Sequence, residues 1–122
     1  MQLNYIANAS TPSSSGRTIP VIDPSDGQPF DAIQRSNAQD IDAAVHAARQ
    51  CFDAVWSKVS AADRGRLLMK LSVKVAEHAD ELAAIEQRDC GKPTKQAKAD
   101  ALALVRYFEF YAGACDKLHG ET

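Results

Sequence analysis

At 122 residues the chain is one domain's worth of sequence, and a free-standing domain of that size buries roughly two-thirds of its unfolded surface. With 45% hydrophobic residues, 25% charged residues and a formal net charge of −2, its composition is that of a soluble globular protein. The near-neutral, interspersed charge argues against a nucleic-acid partner or a polybasic membrane patch, and no stretch approaches the ~20 apolar residues of a membrane span.

Cys51, Cys90 and Cys115 are odd in number, widely spaced and in no CxxC pair, so they read as reduced thiols in a cytoplasmic protein. The start, MQLNYIANAS, lacks the charged and apolar regions of a secretory signal. Asn8-Ala9-Ser10 is accordingly not read as a glycosylation site.

Residues 1–36 read as strands and turns. A short strand is predicted over 4–7, followed by the polar run ASTPSSSGR as loop. TIPVID, residues 18–23, is rich in β-branched side chains, and Pro20 places it at a sheet edge. Asp26-Gly27 is a hairpin-type dipeptide, and PFDAIQR, residues 29–35, alternates as the returning strand.

From residue 37 to 122 the period is helical, with about four helices. Asn37 with Asp40 makes an N-cap, and Ile41, Ala44, Val45, Ala48, Phe52 and Val55 form the expected apolar stripe behind it. Ser60 with Asp63 opens a second helix carrying Leu67, Leu68, Leu71 and Val75. A short third helix carries Leu82 and Ile85 and ends near Asp89. The fourth runs from Thr94 towards Leu118, lined by Ala101, Leu104, Val105, Phe108, Tyr111, Ala112 and Cys115.

The stretch EQRDCGKPTK holds the densest collection of reactive groups in the chain. It is no phosphate loop: Pro93 stands where a Ser or Thr should reach magnesium, and Glu86 where the earlier glycine should lie. There is no G-x-G-x-x-G dinucleotide fingerprint. His46, His78 and His119 are too scattered for a local zinc pattern, and Ser13 to Ser15 have no His/Asp partner motif around them. Gly91 and Pro93 after an apolar segment are a helix stop, with Arg88 and Lys92 complementing the helix dipole. That reading leaves Cys90 a residue at a helix end.

Taken in order, GRTIPVIDPSDGQPF, DIDAAVHAARQCFDAVW, DRGRLLMKLSVKVAEHADELAAIEQRDCGKP and FYAGACDKLHGET resemble the amino-terminal segment of the NAD(P)-dependent aldehyde dehydrogenase superfamily. The resemblance covers residues 5–122. It implies an α+β fragment, amino-terminal strands and about four helices, forming part of a Rossmann-like cofactor domain. The family oxidises aldehydes to acids through a cysteine thiohemiacetal, passing hydride to NAD or NADP. Its nucleophile, its deacylating glutamate and its cofactor loop lie beyond the matching segment, so no catalytic or cofactor-binding residue carries over.

One site does carry over. The resemblance implies a structural sodium or potassium ion held by the backbone carbonyls of Val21 and Ile22 and the carboxylate of Asp89, although Asp89 bonding nearby backbone or Lys92 explains it equally well. The implied partners are the remainder of the enzyme chain, a small aldehyde and further copies in a homo-oligomer, with no nucleic acid and no membrane. The alternative is a stand-alone helical module whose activity is binding a protein partner.

Overall fold

The structure is a computed structural model that describes residues 1–121. It divides into two compact units, Met1–Lys58 and the chain from Val59 onward. The break falls after the first helix and the 3-10 turn that follows it.

The first unit holds two antiparallel hairpins. Strands β1 (Asn4–Ile6) and β2 (Ala9–Thr11) pair with Ile6 opposite Ala9. The run predicted as loop thus contributes a strand. Its turn is Ala7-Asn8, both at positive φ (52° and 64°), the twist that a two-residue hairpin demands. Alanine there hides the turn from the sequence, because glycine or asparagine is its usual sign. The Tyr5 hydroxyl donates to Asn8 Oδ1 across the turn at 2.6 Å.

Strands β3 (Thr18–Ile22) and β4 (Pro29–Gln34) form the second hairpin, with a register irregularity between Val21 and Ile22. Asp26-Gly27 sits inside a six-residue connection rather than forming a two-residue turn. Asp23 N–H donates to the Gln28 carbonyl, and Gly27 takes φ 71°. The amino-terminal residues extend this sheet: Gln2 bridges Ile33 in parallel, and its N–H donates to the Ala32 carbonyl at 2.7 Å.

Helix α1 (Ala38–Ala54) opens on a full capping box at Asn37 and Asp40. Asp40 does more than cap. Ser13 Oγ donates to it at 2.6 Å, and the backbone N–H groups of Ser14 and Asn37 donate at 2.9 Å each. These donors, Ser13 first, hold the Asp40 carboxyl well below the usual carboxylate range. The serine run read as plain loop is therefore the clamp that joins loop to helix. Ser13 and Asp40 are the buried residues of this unit among those described, whereas Ile41, Val45, Phe52 and Val55 of the expected stripe are exposed. A hydrogen-bonded knot organises the unit in place of an apolar core.

A single 3-10 turn, Trp56–Lys58, ends the first unit. The second unit contains α2 (Ala61–Glu77), α3 (Ala79–Cys90) and α4 (Thr94–Ala114). Ser60 caps α2, accepting from Asp63 N–H at 3.1 Å. Gly91, at φ 69°, closes α3 in the left-handed conformation that favours glycine, and its N–H donates to the Gln87 carbonyl. Helix α4 stops at Ala114, short of Leu118, where Lys117 N–H turns back to the Ala114 carbonyl.

Small residues let these helices approach closely. Helix α4 runs antiparallel to α2: Gly65 meets Ala112 at one end, and Ser72 Oγ donates to the Val105 carbonyl at 3.1 Å further along. Ala79, Ala83, Ala97 and Ala101 complete the buried centre with Val75. On α2 the buried line is Gly65, Ser72 and Val75, with Leu68 half-buried, so Leu67 and Leu71 of the expected stripe point outward. Leu82, Ile85, Leu104 and Tyr111 are likewise exposed. The expected stripes are thus covered only in part, at Leu68, Val75, Ala101, Val105, Phe108, Ala112 and Cys115, because the tightest helix contact is made by the smallest side chains.

The chain exposes 9122 Å². A compact 13.2 kDa domain would expose about 6,400 Å², and two independent half-size domains about 7,700 Å² in total. Even two separate units would hide more surface than this chain does. Exposed apolar side chains on the helices, among them Ile41, Val45, Ile85, Tyr107 and Phe110, contribute to it.

Candidate functional site

The elbow between α3 and α4 gathers the charged residues of EQRDCGKPTK. Lys92 Nζ reaches Asp100 on α4 at 2.6 Å and also pairs with Glu86 on α3. The two carboxylates, Asp100 first, raise the Lys92 pKa well above its ordinary value. Thr94 Oγ1 adds a 2.8 Å bond to Gln87 Oε1, so the turn forced by Gly91 and Pro93 is tied on both sides.

Beside this elbow lies an open groove of about 670 Å³. Leu82, Ile85, Leu104 and Tyr107 give it apolar walls, while Glu86, Asp89 and Asp100 line its acidic side. No nucleophile–base pair borders it. Cys90 Sγ donates to the Glu86 carbonyl at 3.0 Å and Cys115 Sγ to the Tyr111 carbonyl at 3.2 Å, the back-bonding of helical thiols to the preceding turn.

Val21 and Ile22 stand together at the irregularity of the β3–β4 hairpin, in the first unit. Ile22 lies opposite Pro29, which has no N–H to offer, and a bulge leaves ladder groups unpaired. Asp89 lies in the last turn of α3, in the second unit. Lys92, the alternative partner for Asp89, is engaged by Glu86 and Asp100 instead. Among the described residues, no hydrogen bond or ion pair holds the Asp89 carboxylate. Among the described residues there is also no cluster of three His, Cys, Asp or Glu side chains suited to a metal.

The fold and the ordered motifs define a segment of a dehydrogenase, and comparison with known proteins gives the family. Residues 11–122 match the model of the aldehyde dehydrogenase family. Aldehyde dehydrogenase [NAD(P)+] 2 of Saccharomyces cerevisiae is 44% identical over 120 residues, covering 97% of this chain and 24% of the yeast protein. A crystal structure from Burkholderia cenocepacia, of a protein assigned to the aldehyde dehydrogenases, superposes with a TM-score of 0.95. It shares 61% identity, with 98% of this chain and 25% of that one covered. Betaine aldehyde dehydrogenase of Staphylococcus aureus in complex with NAD+ gives a TM-score of 0.93 at 30% identity, covering 98% of this chain and 24% of that one.

The chain belongs to the aldehyde dehydrogenase family. Within it the chain is an amino-terminal segment, and it spans about a quarter of the length of the curated relatives it matches.

Proposed function

We propose that this segment serves an enzyme that oxidises an aldehyde, with water, to a carboxylic acid while a hydride passes to NAD+ or NADP+. The family match and the NAD(P)+-dependent relatives support that reading. The segment's own task is scaffolding. The observation that carries this assignment is the exposure of Leu67, Leu71, Leu82, Ile85, Leu104 and Tyr107, apolar faces suited to the remainder of the enzyme. The resemblance places the family's nucleophile beyond the matching segment, and Cys90 and Cys115 bond to carbonyls of their own helices.

In the same reading, the carbonyls of Val21 and Ile22 and the Asp89 carboxylate are proposed as ligands of a sodium or potassium ion in the complete enzyme. The resemblance of the ordered motifs to the family supports it. A homo-oligomer is expected of the complete enzyme on family grounds. A cytoplasmic location rests on three unpaired thiols; no described helix is long and apolar enough to cross a membrane.

The test is aldehyde-dependent NAD(P)H formation by the gene product that carries this segment, with and without Cys90→Ser. Retained turnover supports a scaffold role. Abolished turnover with the fold intact overturns it.

A further inference from the structure

The connection between β3 and β4 carries a dipeptide with no part in the enzymatic reading. Asp26 and Gly27 are both exposed, so water reaches them. Gln28 N–H donates to Asp26 Oδ1 at 2.8 Å, an Asx turn that keeps the Asp26 carboxyl folded back over the amide of Gly27. Gly27 has φ 71°, and nothing lies within 4 Å of the place where a Cβ would stand. No side chain therefore shields the Gly27 nitrogen. Its N–H donates to the Asp23 carbonyl at 2.8 Å, which fixes the amide beside the carboxyl.

We propose that Asp26-Gly27 is a site of self-modification, at which the folded protein converts aspartate to isoaspartate. The Gly27 nitrogen attacks Asp26 Cγ. A C–N bond forms, and the carboxyl hydroxyl leaves with the amide proton as water, closing a five-membered succinimide. Water then adds to either ring carbonyl. Opening at the former side-chain carbonyl restores aspartate, whereas opening at the main-chain carbonyl leaves Gly27 linked through Asp26 Cγ. One water leaves and one returns, nothing is oxidised or reduced, and no co-reactant but water is needed.

The other aspartates of the hairpin lack these conditions. Asp23 precedes Pro24, whose nitrogen carries no hydrogen and cannot close the ring. Asp31 lies within β4, where its carboxyl accepts from the Gln2 side chain at 2.9 Å and the next nitrogen belongs to Ala32, which carries a Cβ and sits opposite Pro20 in the ladder. At Asp26 the product adds one atom to the main chain between Asp23 and Gln28. Those two residues close the connection through a 2.9 Å bond from the Asp23 N–H to the Gln28 carbonyl, so the change strains the end of the β3–β4 hairpin. The reaction concerns this chain's own backbone and does not depend on the enzymatic reading.

Peptide mapping of the gene product that carries this segment, aged in its folded state at neutral pH for several weeks, tests the proposal. Trypsin cuts after Arg17 and Arg35, so one peptide holds Asp23, Asp26 and Asp31, and main-chain fragmentation tells isoaspartate from aspartate at each. The expected result is isoaspartate at Asp26 at least about tenfold above that at Asp31, with a trace of peptide one water lighter. Gly27→Asn keeps a residue that accepts the left-handed conformation but adds a Cβ, and should slow the reaction about tenfold. Asp26→Asn presents a neutral amide that releases ammonia in place of water, and should speed ring closure at least about tenfold. Absence of isoaspartate at Asp26 overturns the proposal. So do equal amounts at Asp26 and Asp31, or either variant ageing at the parent's rate.

Discussion

Gly65→Ala tests how closely α2 and α4 approach. A Cβ built on Gly65 would lie 2.6 Å from the Ala112 carbonyl oxygen, with Cys115 Cβ at 3.7 Å behind it. Ordinary contact begins near 3.4 Å, so α4 would have to retreat by about 0.8 Å along a line that also carries the Ser72–Val105 bond. Overpacking of this kind costs about 1–3 kcal/mol, and alanine's helix propensity returns about 1 kcal/mol. The net loss of roughly 1 kcal/mol should lower the melting midpoint by about 4–8 °C. Gly113→Ala is the control. That glycine is exposed near the end of the same helix pair, a new Cβ there meets nothing within 4 Å, and the substitution should stabilise by about 0.5 kcal/mol. Thermal melts followed by helical ellipticity compare the two. Gly65→Ala melting at or above the parent would refute the close approach.

Asp40→Asn should loosen the first unit, read as faster hydrogen exchange at the amides of Ser14 and Asn37. The depressed carboxyl pKa of Asp40 also sets a pH dependence. Its stabilisation is complete above the unfolded carboxylate pKa of about 4 and is lost as pH falls towards the folded value, so an acid titration of the parent should unfold this unit and one of Asp40→Asn should be flatter. Ser72→Ala removes a buried donor to the Val105 carbonyl and should cost about 1 kcal/mol in urea denaturation. Lys92→Met should speed exchange at the carboxyl end of α3, because Glu86 and Asp100 are left facing each other without their shared cation. Ala7→Gly should raise the midpoint slightly, by relieving a non-glycine residue at positive φ that costs about 1 kcal/mol.

Features that depend on local chemistry were legible in the sequence. Asn37 with Asp40 and Ser60 with Asp63 marked helix starts, and Gly91 with Pro93 marked a stop, because caps and breakers act over three or four residues. Distance in sequence hid the rest. Nothing near Ser13 announces that it will donate to Asp40, 27 residues away. The turn at Ala7-Asn8 lacks its usual glycine, so β2 passed as loop. The apolar stripes misled for a different reason: Ile41, Leu67 and Ile85 have the right period for burial but are exposed in this chain. Periodicity reports that a face is apolar, and only a partner decides whether it is covered. At the candidate ion site, the sequence supplied Val21, Ile22 and Asp89 through resemblance alone, since backbone carbonyls leave no mark on residue identity.

The central claim is that this segment belongs to an aldehyde-oxidising enzyme and supplies none of its reacting groups. It is tested most directly by the rate of aldehyde-dependent NAD(P)+ reduction by the gene product carrying the segment, measured for the parent and for Cys51→Ser, Cys90→Ser and Cys115→Ser singly. The expected result is a measurable rate that each substitution leaves within about twofold, far from the orders of magnitude lost with a nucleophile. No reduction with any aldehyde, or collapse of the rate in Cys90→Ser with the fold intact, would contradict it.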